Sequence, residues 1–380
     1  MNYFASTIYQ ECKEGHPVCG DAARCLRSKT DTIMLLCDGV GSGIYANIAA
    51  LTCLGRLSEL CTSSLSFLEA CSLVANSMHR ARTENIPFAA FSAVKVFQNG
   101  SFRAYTYESP SPILIRKDGK ATALESQRFI KAGYEVLGEY YGTLEKGDRF
   151  LMFSDGVSQA GLGNGYLFGI DSKGVAEYIT EIQDALPLPL LKKILQMTKD
   201  LCGGCCQDDT TLAMLQCREA TQLTIVTGPP QGRSKDSEFV NRFIRTPGMH
   251  VVCGSTTADI VARELGKELK YKKPGTAFGA PPEYEIEGID MTTEGAMMLN
   301  QVYNILDEPV ETLTDATPVE RLAKLIHRAD VINLFHGRSM NEAHSDLIFK
   351  QIGIRPRHII VSQLEKKLEN MGKLVIMVHY

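Results

Sequence analysis

The sequence predicts an α+β sandwich flanked by helices over residues 1–218, followed by a separate α/β domain over residues 219–380. Three observations lead there. Strand-like and helix-like segments come in blocks up to about Gln216. Asn99-Gly100 and Asp118-Gly119 each separate two apolar runs, the composition of a tight hairpin turn. From Thr221 the rhythm changes to strand, loop, helix, as a separate α/β domain requires.

The first half begins with strand candidates at Tyr3–Tyr9 and Ala22–Arg27, followed by the apolar run Ile33-Met34-Leu35-Leu36-Cys37. After Gly43 the spacing becomes helical. Ile44, Ile48, Leu51, Leu54 and Leu57 mark one apolar stripe, and Phe67, Cys71, Val74 and Met78 mark a second. Antiparallel strands are expected at Ala90–Phe97, Phe102–Tyr107, Pro112–Arg116 and Ala121–Leu124. A strand ending at Phe153, helices over Gly174–Ala185 and Leu190–Leu201, and a strand from Thr210 to Leu215 close the domain. In the second half, strands are expected at Leu223–Thr227, Val251–Cys253, Val331–Phe335 and Leu374–Val378. Helices are expected through Phe239 and Ile244 and over Ala258–Leu269, Glu294–Leu306 and Pro318–Ala329, with a Pro/Gly-rich stretch at Pro274–Pro282.

At 380 residues the chain exceeds what one core usually supports. Its 40 basic and 44 acidic residues leave a net charge of −4, too small a field to draw in nucleic acid or an anionic membrane. The N-terminus lacks a basic region followed by an apolar one, and no run approaches the roughly 20 apolar residues of a membrane span. A cytoplasmic protein is expected. Most of the 12 cysteines stand in apolar runs, so they are read as free thiols in a reducing compartment.

Two apolar runs end abruptly in an acid and a glycine, Leu36-Cys37-Asp38-Gly39 and Phe153-Ser154-Asp155-Gly156, and a third acidic pair, Asp208-Asp209, precedes the run Thr210–Leu215. Antiparallel strands can bring such ends to one edge. Carboxylates gathered there repel one another and raise each other's pKa unless hard divalent cations lie between them. Any one Asp-Gly is more often a plain turn; the ordered set is what points to a metal cluster.

These residues resemble the type 2C (PPM) metal-dependent Ser/Thr protein phosphatases, in particular the bacterial SpoIIE-like branch. The resemblance covers about residues 1–217 and rests on Gly20-Asp21, Asp38-Gly39-Val40-Gly41-Ser42-Gly43, Phe153-Ser154-Asp155-Gly156-Val157, Phe168-Gly169 and Asp208-Asp209-Thr210-Thr211. It implies an αββα sandwich of two antiparallel sheets. It also implies two Mn²⁺ or Mg²⁺ ions sharing a water that attacks phosphorus. Asp38 would bridge the ions, the Gly39 carbonyl would join it, Asp155 and Asp208 would hold the first ion, and Asp21 would hold water on the second. Asp209 is read as a neighbour that orients Asp208 or its loop. Val40 stands where larger eukaryotic relatives carry a His, a departure that argues for a resemblance to the SpoIIE branch. For those relatives' third-metal acid and phosphate arginine, Glu108 and Arg24 are weak stand-ins; a turn contact and a surface ion pair are the readings preferred for them.

The implied activity is hydrolysis of phosphoserine or phosphothreonine on a bacterial regulatory protein, with an anti-anti-sigma (STAS) protein as the partner class. Residues 219–380 are expected to regulate it or bind a ligand or partner. The competing reading is a signalling scaffold that keeps the acids and works by ligand binding in its second half. A homodimer is compatible with the sequence and not required by it. Among weaker signals, Cys202-Gly203-Gly204-Cys205-Cys206 is read as a loop bordering Asp208 and not as a zinc site. Gly228–Lys235 follows a strand and precedes a helix but misses the phosphate-loop spacing, since the residue five after Gly228 is Arg233. Gly254-Ser255-Thr256-Thr257 is read as a helix cap, and His327, His336, His344, His358 and His379 are assigned no role.

Overall fold

The computed structural model describes residues 2–183, 186–274, 281–339 and 353–380. Residues 275–280 of the Pro/Gly-rich stretch, His344 and Ala185 therefore lie outside the described residues. The chain divides into two compact units, Met1–Glu219 and Ala220–Tyr380.

The first unit is built on two antiparallel sheets. One contains β1 (Asn2–Glu11), β6 (Ile113–Ile115), β7 (Ala121–Ala123), β10 (Arg149–Phe153) and β11 (Thr210–Glu219), in the order β1-β11-β10-β6-β7. The other contains β2 (Asp21–Arg27), β3 (Asp31–Gly39), β4 (Ala89–Phe97), β5 (Ser101–Tyr107), β8 (Arg128–Ala132) and β9 (Glu135–Thr143), in the order β2-β3-β4-β5-β9-β8. Side chains alternate along each strand, and both faces are covered. Met34 and Leu36 of β3 join Phe150 and Met152 of β10 between the sheets. Leu35 and Cys37 face α1 (Ile44–Cys61) and α2 (Phe67–Thr83), whereas Leu151 and Phe153 face α3 (Asp155–Ser158), α4 (Asp171–Ile182) and α5 (Pro187–Leu201). That two-sided burial explains why these strands read as unbroken apolar runs. The layers are αββα.

The expected stripe of α1 is corrected. Leu54 and Leu57 are buried, but Ile44, Ile48 and Leu51 are 65%, 50% and 51% exposed. The buried face is Ala46, Ala49, Ala50, Cys53, Leu54, Leu57 and Cys61. Small residues at the start of α1 let its backbone approach the sheet closely, and larger side chains would hold it off. In α2 a reciprocal capping box between Ser66 and Glu69 fixes the start. The hairpin of β8 and β9 was not expected: glycines at 138 and 142 and the acid Glu139 disguise a strand. Glu139 is buried, but its carboxylate pairs with Arg103 at 2.8 Å and accepts the Tyr105 hydroxyl at 3.1 Å.

The second unit has a seven-stranded sheet. Its strands are β12 (Gln222–Thr227), β13 (Met249–Cys253), β14 (Lys270–Lys273), β15 (Glu283–Glu285), β16 (Met291–Thr293), β17 (Val331–His336) and β18 (Leu374–His379). The order is β14-β15-β16-β13-β12-β17-β18, parallel from β16 to β18 with an antiparallel edge. Helices α6 (Asp236–Arg245) and α7 (Ser255–Leu265) cover one face, burying Phe239, Phe243 and Val261. The other face is covered by α8 (Ala296–Ile305), α9 (Pro318–Arg328) and α10 (Arg357–Asn370), burying Leu299, Leu322 and Leu364. Four elements escape the sequence expectation here. Strands β14 to β16 are short, every residue of β14 is exposed, and α10 carries Ile360, Val361, Leu364 and Leu368 at helical spacing, a signal that could have found it. Among the described residues, no helix is long and apolar enough to cross a membrane.

Candidate metal centre

Four strand ends meet at one end of the first unit. Asp21 opens β2 opposite Asp38, which stands next to last in β3. Asp155 follows β10 as the first residue of α3, and Asp208 lies two residues before β11. The Asp155 amide donates to Asp38 Oδ2 at 3.4 Å, so residues 117 apart in sequence touch.

The electrostatics are those of crowded anions. Burial, then the charges of Asp21 and Asp155, push Asp38 up to about 9. Asp21 is 4% exposed and rises to about 7, chiefly through burial, with Asp209 and Asp155 adding to it and the Ser154 and Thr211 hydroxyls partly offsetting it. Asp208 is also raised, by burial first and then by Asp155. Lys13 Nζ, 3.9 Å from Asp208 Oδ1, supplies one compensating charge. Asp21 Oδ2 is buried without a hydrogen-bond partner. A buried carboxylate oxygen in that condition is costly unless something of opposite charge takes it. The donor set is entirely oxygen, which suits small hard divalent cations. The residues present fit such ions.

The glycines answer to packing. A Cβ on Gly39 would run into the Ala46 carbonyl of α1 and come within 2.8 Å of the Gly20 carbonyl oxygen. Gly39 N donates to that same Gly20 oxygen at 3.1 Å. A Cβ on Gly156 would strike the Asp209 carbonyl. Close backbone approach at these points is what draws the acid-bearing ends together.

Several supporting residues were invisible in the sequence. Gln159 Nε2 donates to Asp155 Oδ2 at 2.7 Å, one helical turn on, and fixes that carboxylate. Gln10 spans Asp21 O at 3.0 Å and Thr211 Oγ1 at 2.9 Å. Asp209 is buried and accepts the amides of Lys13 at 2.9 Å and Gly20 at 2.8 Å, so it pins the loop that leads into Asp21. Cys12, Cys19 and Asp209 each place one ligand-type atom within 4.8 Å of the others, a grouping no sequence spacing announced. All twelve cysteines are free. Glu108, at the end of β5 with a left-handed φ of 50°, ion-pairs with Arg82, and Arg24 is exposed on β2.

Asp209→Ala is expected to release that loop. The amides of Lys13 and Gly20 should exchange hydrogen at least about tenfold faster, since each loses a bond to a charged acceptor. Unchanged protection at both would show that the loop is held elsewhere.

The fold and the acid set together define a two-sheet sandwich with a carboxylate centre at one end. The chain belongs to the SpoIIE family: the profile of Stage II sporulation protein E matches residues 28–218. A search of curated proteins finds no match. Among solved structures, the chain is similar to the PP2C phosphatase domain with a fragment of the regulatory domain of SpoIIE from Bacillus subtilis, at 15% identity and a TM-score of 0.49. That likeness covers 58% of this chain and 64% of the other, so the chain spans just under two thirds of that structure. It is also similar to the RsbU and RsbW domains of a Mycobacterium tuberculosis protein, at 19% identity and a TM-score of 0.48, over 63% of this chain and 67% of the other. RsbX in complex with magnesium matches at 19% identity and a TM-score of 0.41, over 57% of this chain and all of RsbX.

Proposed function

We propose that residues 1–218 form a protein Ser/Thr phosphatase domain that depends on two Mn²⁺ or Mg²⁺ ions, and that residues 219–380 form an accessory domain. Asp38, Asp155 and Asp208 are the proposed catalytic ligands, with Asp21 and the Gly39 carbonyl completing the metal set. The observation that carries this reading is the convergence of four carboxylates from four strand ends, with Asp38 and Asp21 pushed up to about 9 and about 7. When bound, the ions supply an acidified water and neutralise phosphoryl oxygens.

The chain's own residues do the rest. Asp38 accepts the Asp155 amide and stands opposite Asp21 on the neighbouring strand, so it links two of the other acids. Gln159 holds one oxygen of Asp155 and thereby orients the other. Asp209 keeps the loop before Asp21 in place through two backbone amides. Protons held on the raised carboxyls leave when cations arrive, so metal affinity increases with pH. Val40, 50% exposed beside the centre, has no proton to give to a leaving serine or threonine oxygen.

The proposed substrate is a phosphorylated bacterial regulatory protein in the cytoplasm, specifically a STAS-domain protein; membership of the SpoIIE family supports that reading. The test is release of phosphate from p-nitrophenyl phosphate and from a phosphoserine STAS protein, with and without Mn²⁺. Metal-dependent release from both is expected. No release from either at saturating Mn²⁺ would leave the scaffold reading in its place.

A further inference from the structure

The five parallel strands of the second unit end in one row. Thr293, Cys253, Thr227, His336 and His379 are consecutive partners across β16, β13, β12, β17 and β18. From β12 the chain proceeds outward to β13 and β16 on one side, then returns to place β17 and β18 on the other. The strand order therefore reverses between β12 and β17. In open α/β sheets such a reversal leaves a crevice beyond the carboxyl ends of the two strands, because their connections depart to opposite faces.

The side chains at this crevice are unfinished. The pleat puts Thr227 on the face of Leu223 and Ile225, and His336 on the face of Ile332 and Leu334, all on the side covered by α8, α9 and α10. Thr227 is 0% exposed, and its Oγ1 has no hydrogen-bond partner. Arg357, the first residue of α10, reaches the same place. A Cβ on Gly228, just past β12, would collide with Arg357 Nη1 and with the Gly337 carbonyl just past β17. That Nη1 is buried and also lacks a partner, although Arg357 as a whole is only half-buried. Burying a guanidinium nitrogen and a hydroxyl with nothing to bond is unfavourable on both counts.

The charge balance at the crevice is positive. Arg357, His379, Arg338 and His358 all act against protonation of His336, which burial and these neighbours push down to about 4. Glu294 is the acid that acts on Arg357, and one of its carboxylate oxygens, Oε2, accepts the Met297 and Met298 amides at 3.1 and 3.3 Å. Thr227 Oγ1, one residue before Gly228, and Arg357 Nη1, packed on Gly228, are both donors left without an acceptor, and the oxygens of a phosphate group can accept from both.

We propose that the crevice between the ends of β12 and β17 binds a small phosphate-bearing anion through Arg357 and Thr227, making the second unit a ligand-binding domain. The inference stands apart from the carboxylate centre. Gly228 and Gly337 fit it, because their missing side chains let the two strand-end loops and the guanidinium pack together.

The test uses the full chain in EDTA, so that the carboxylate centre holds no cation to attract phosphate. Thermal melting is followed in rising inorganic phosphate and, separately, in adenosine 5′-monophosphate, against chloride at matched ionic strength. A saturable rise in Tm of about 5 °C or more is expected at 100-fold excess over Kd with at least one of the two. A rise with the nucleotide alone identifies a phosphate ester, and a rise with phosphate alone identifies the free ion. Arg357→Gln and the near-isosteric Thr227→Val should each weaken binding about tenfold or more. No saturable rise with either probe overturns the proposal, as does a rise that both variants leave intact.

Discussion

Asp38→Asn is expected to lose at least about a thousandfold in phosphatase activity at saturating Mn²⁺, while the metal-free protein becomes more stable. The two effects share one cause. Asp38 is pressed among Asp21 and Asp155 and raised to about 9, so its charge opposes folding whenever no cation offsets it. An amide of the same shape keeps the contact with the Asp155 amide and drops the repulsion. The gain should be about 1–2 kcal/mol, moving Tm by about 4 °C for a unit of this size. The pH dependence has a definite sign. Carboxyls at about 7 and about 9 lie above their ordinary 3.8, so between those values the folded metal-free chain binds more protons than the unfolded one. The stability these two groups contribute is then fully present below about pH 4 and is lost as pH rises toward 9. Asp38→Asn should flatten that decline, and Mn²⁺ should abolish it in the wild type. Melting curves in EDTA from pH 5 to 9 measure it; a wild-type Tm that climbs across this range contradicts the crowding of acids.

Gly39→Ala is expected to cost about 3 kcal/mol or more in urea unfolding and to take most of the activity with it. The added carbon meets the Ala46 carbonyl in α1 and the Gly20 carbonyl, both backbone atoms that cannot turn aside. Relief requires α1 or the β2 entry to move away from β3, which separates Asp21 from Asp38. Gly55→Ala in the interior of the same helix is the control. A Cβ there has nothing within 4 Å, so the change should stabilise by about 0.5–1 kcal/mol. If both variants unfold at the wild-type midpoint, the tight helix-to-sheet approach does not hold the centre together.

Much of this was legible from residue order. Runs such as Ile33–Cys37 and Phe150–Phe153 are apolar at every position because each strand is covered on both faces, and the acid that ends each run stands out against them. The hairpin turns at Asn99-Gly100 and Asp118-Gly119 carry their own backbone chemistry, with Gly100 and Gly119 at φ of 88° and 89°. Strand β9 was hidden because Glu139 and two glycines are legitimate in it only once Arg103, Tyr105 and a neighbouring strand are present. In α1, hydrophobicity pointed to Ile44, Ile48 and Leu51, whereas the packed face is set by how near the helix can come, which favours alanine.

The sequence by itself determined where the strands break, which acids stand at those breaks and where the chain changes from antiparallel blocks to α/β alternation, because propensity, periodicity and turn chemistry act over a few residues. Tertiary structure alone decided that Asp21, Asp38, Asp155 and Asp208 share one end of a sandwich, that Asp209 faces backbone amides, and that Arg357 reaches Gly228 from 129 positions away. Those facts depend on strand order and layer packing. Burial energy summed over the whole core selects them, and no local stretch of chain contains that sum.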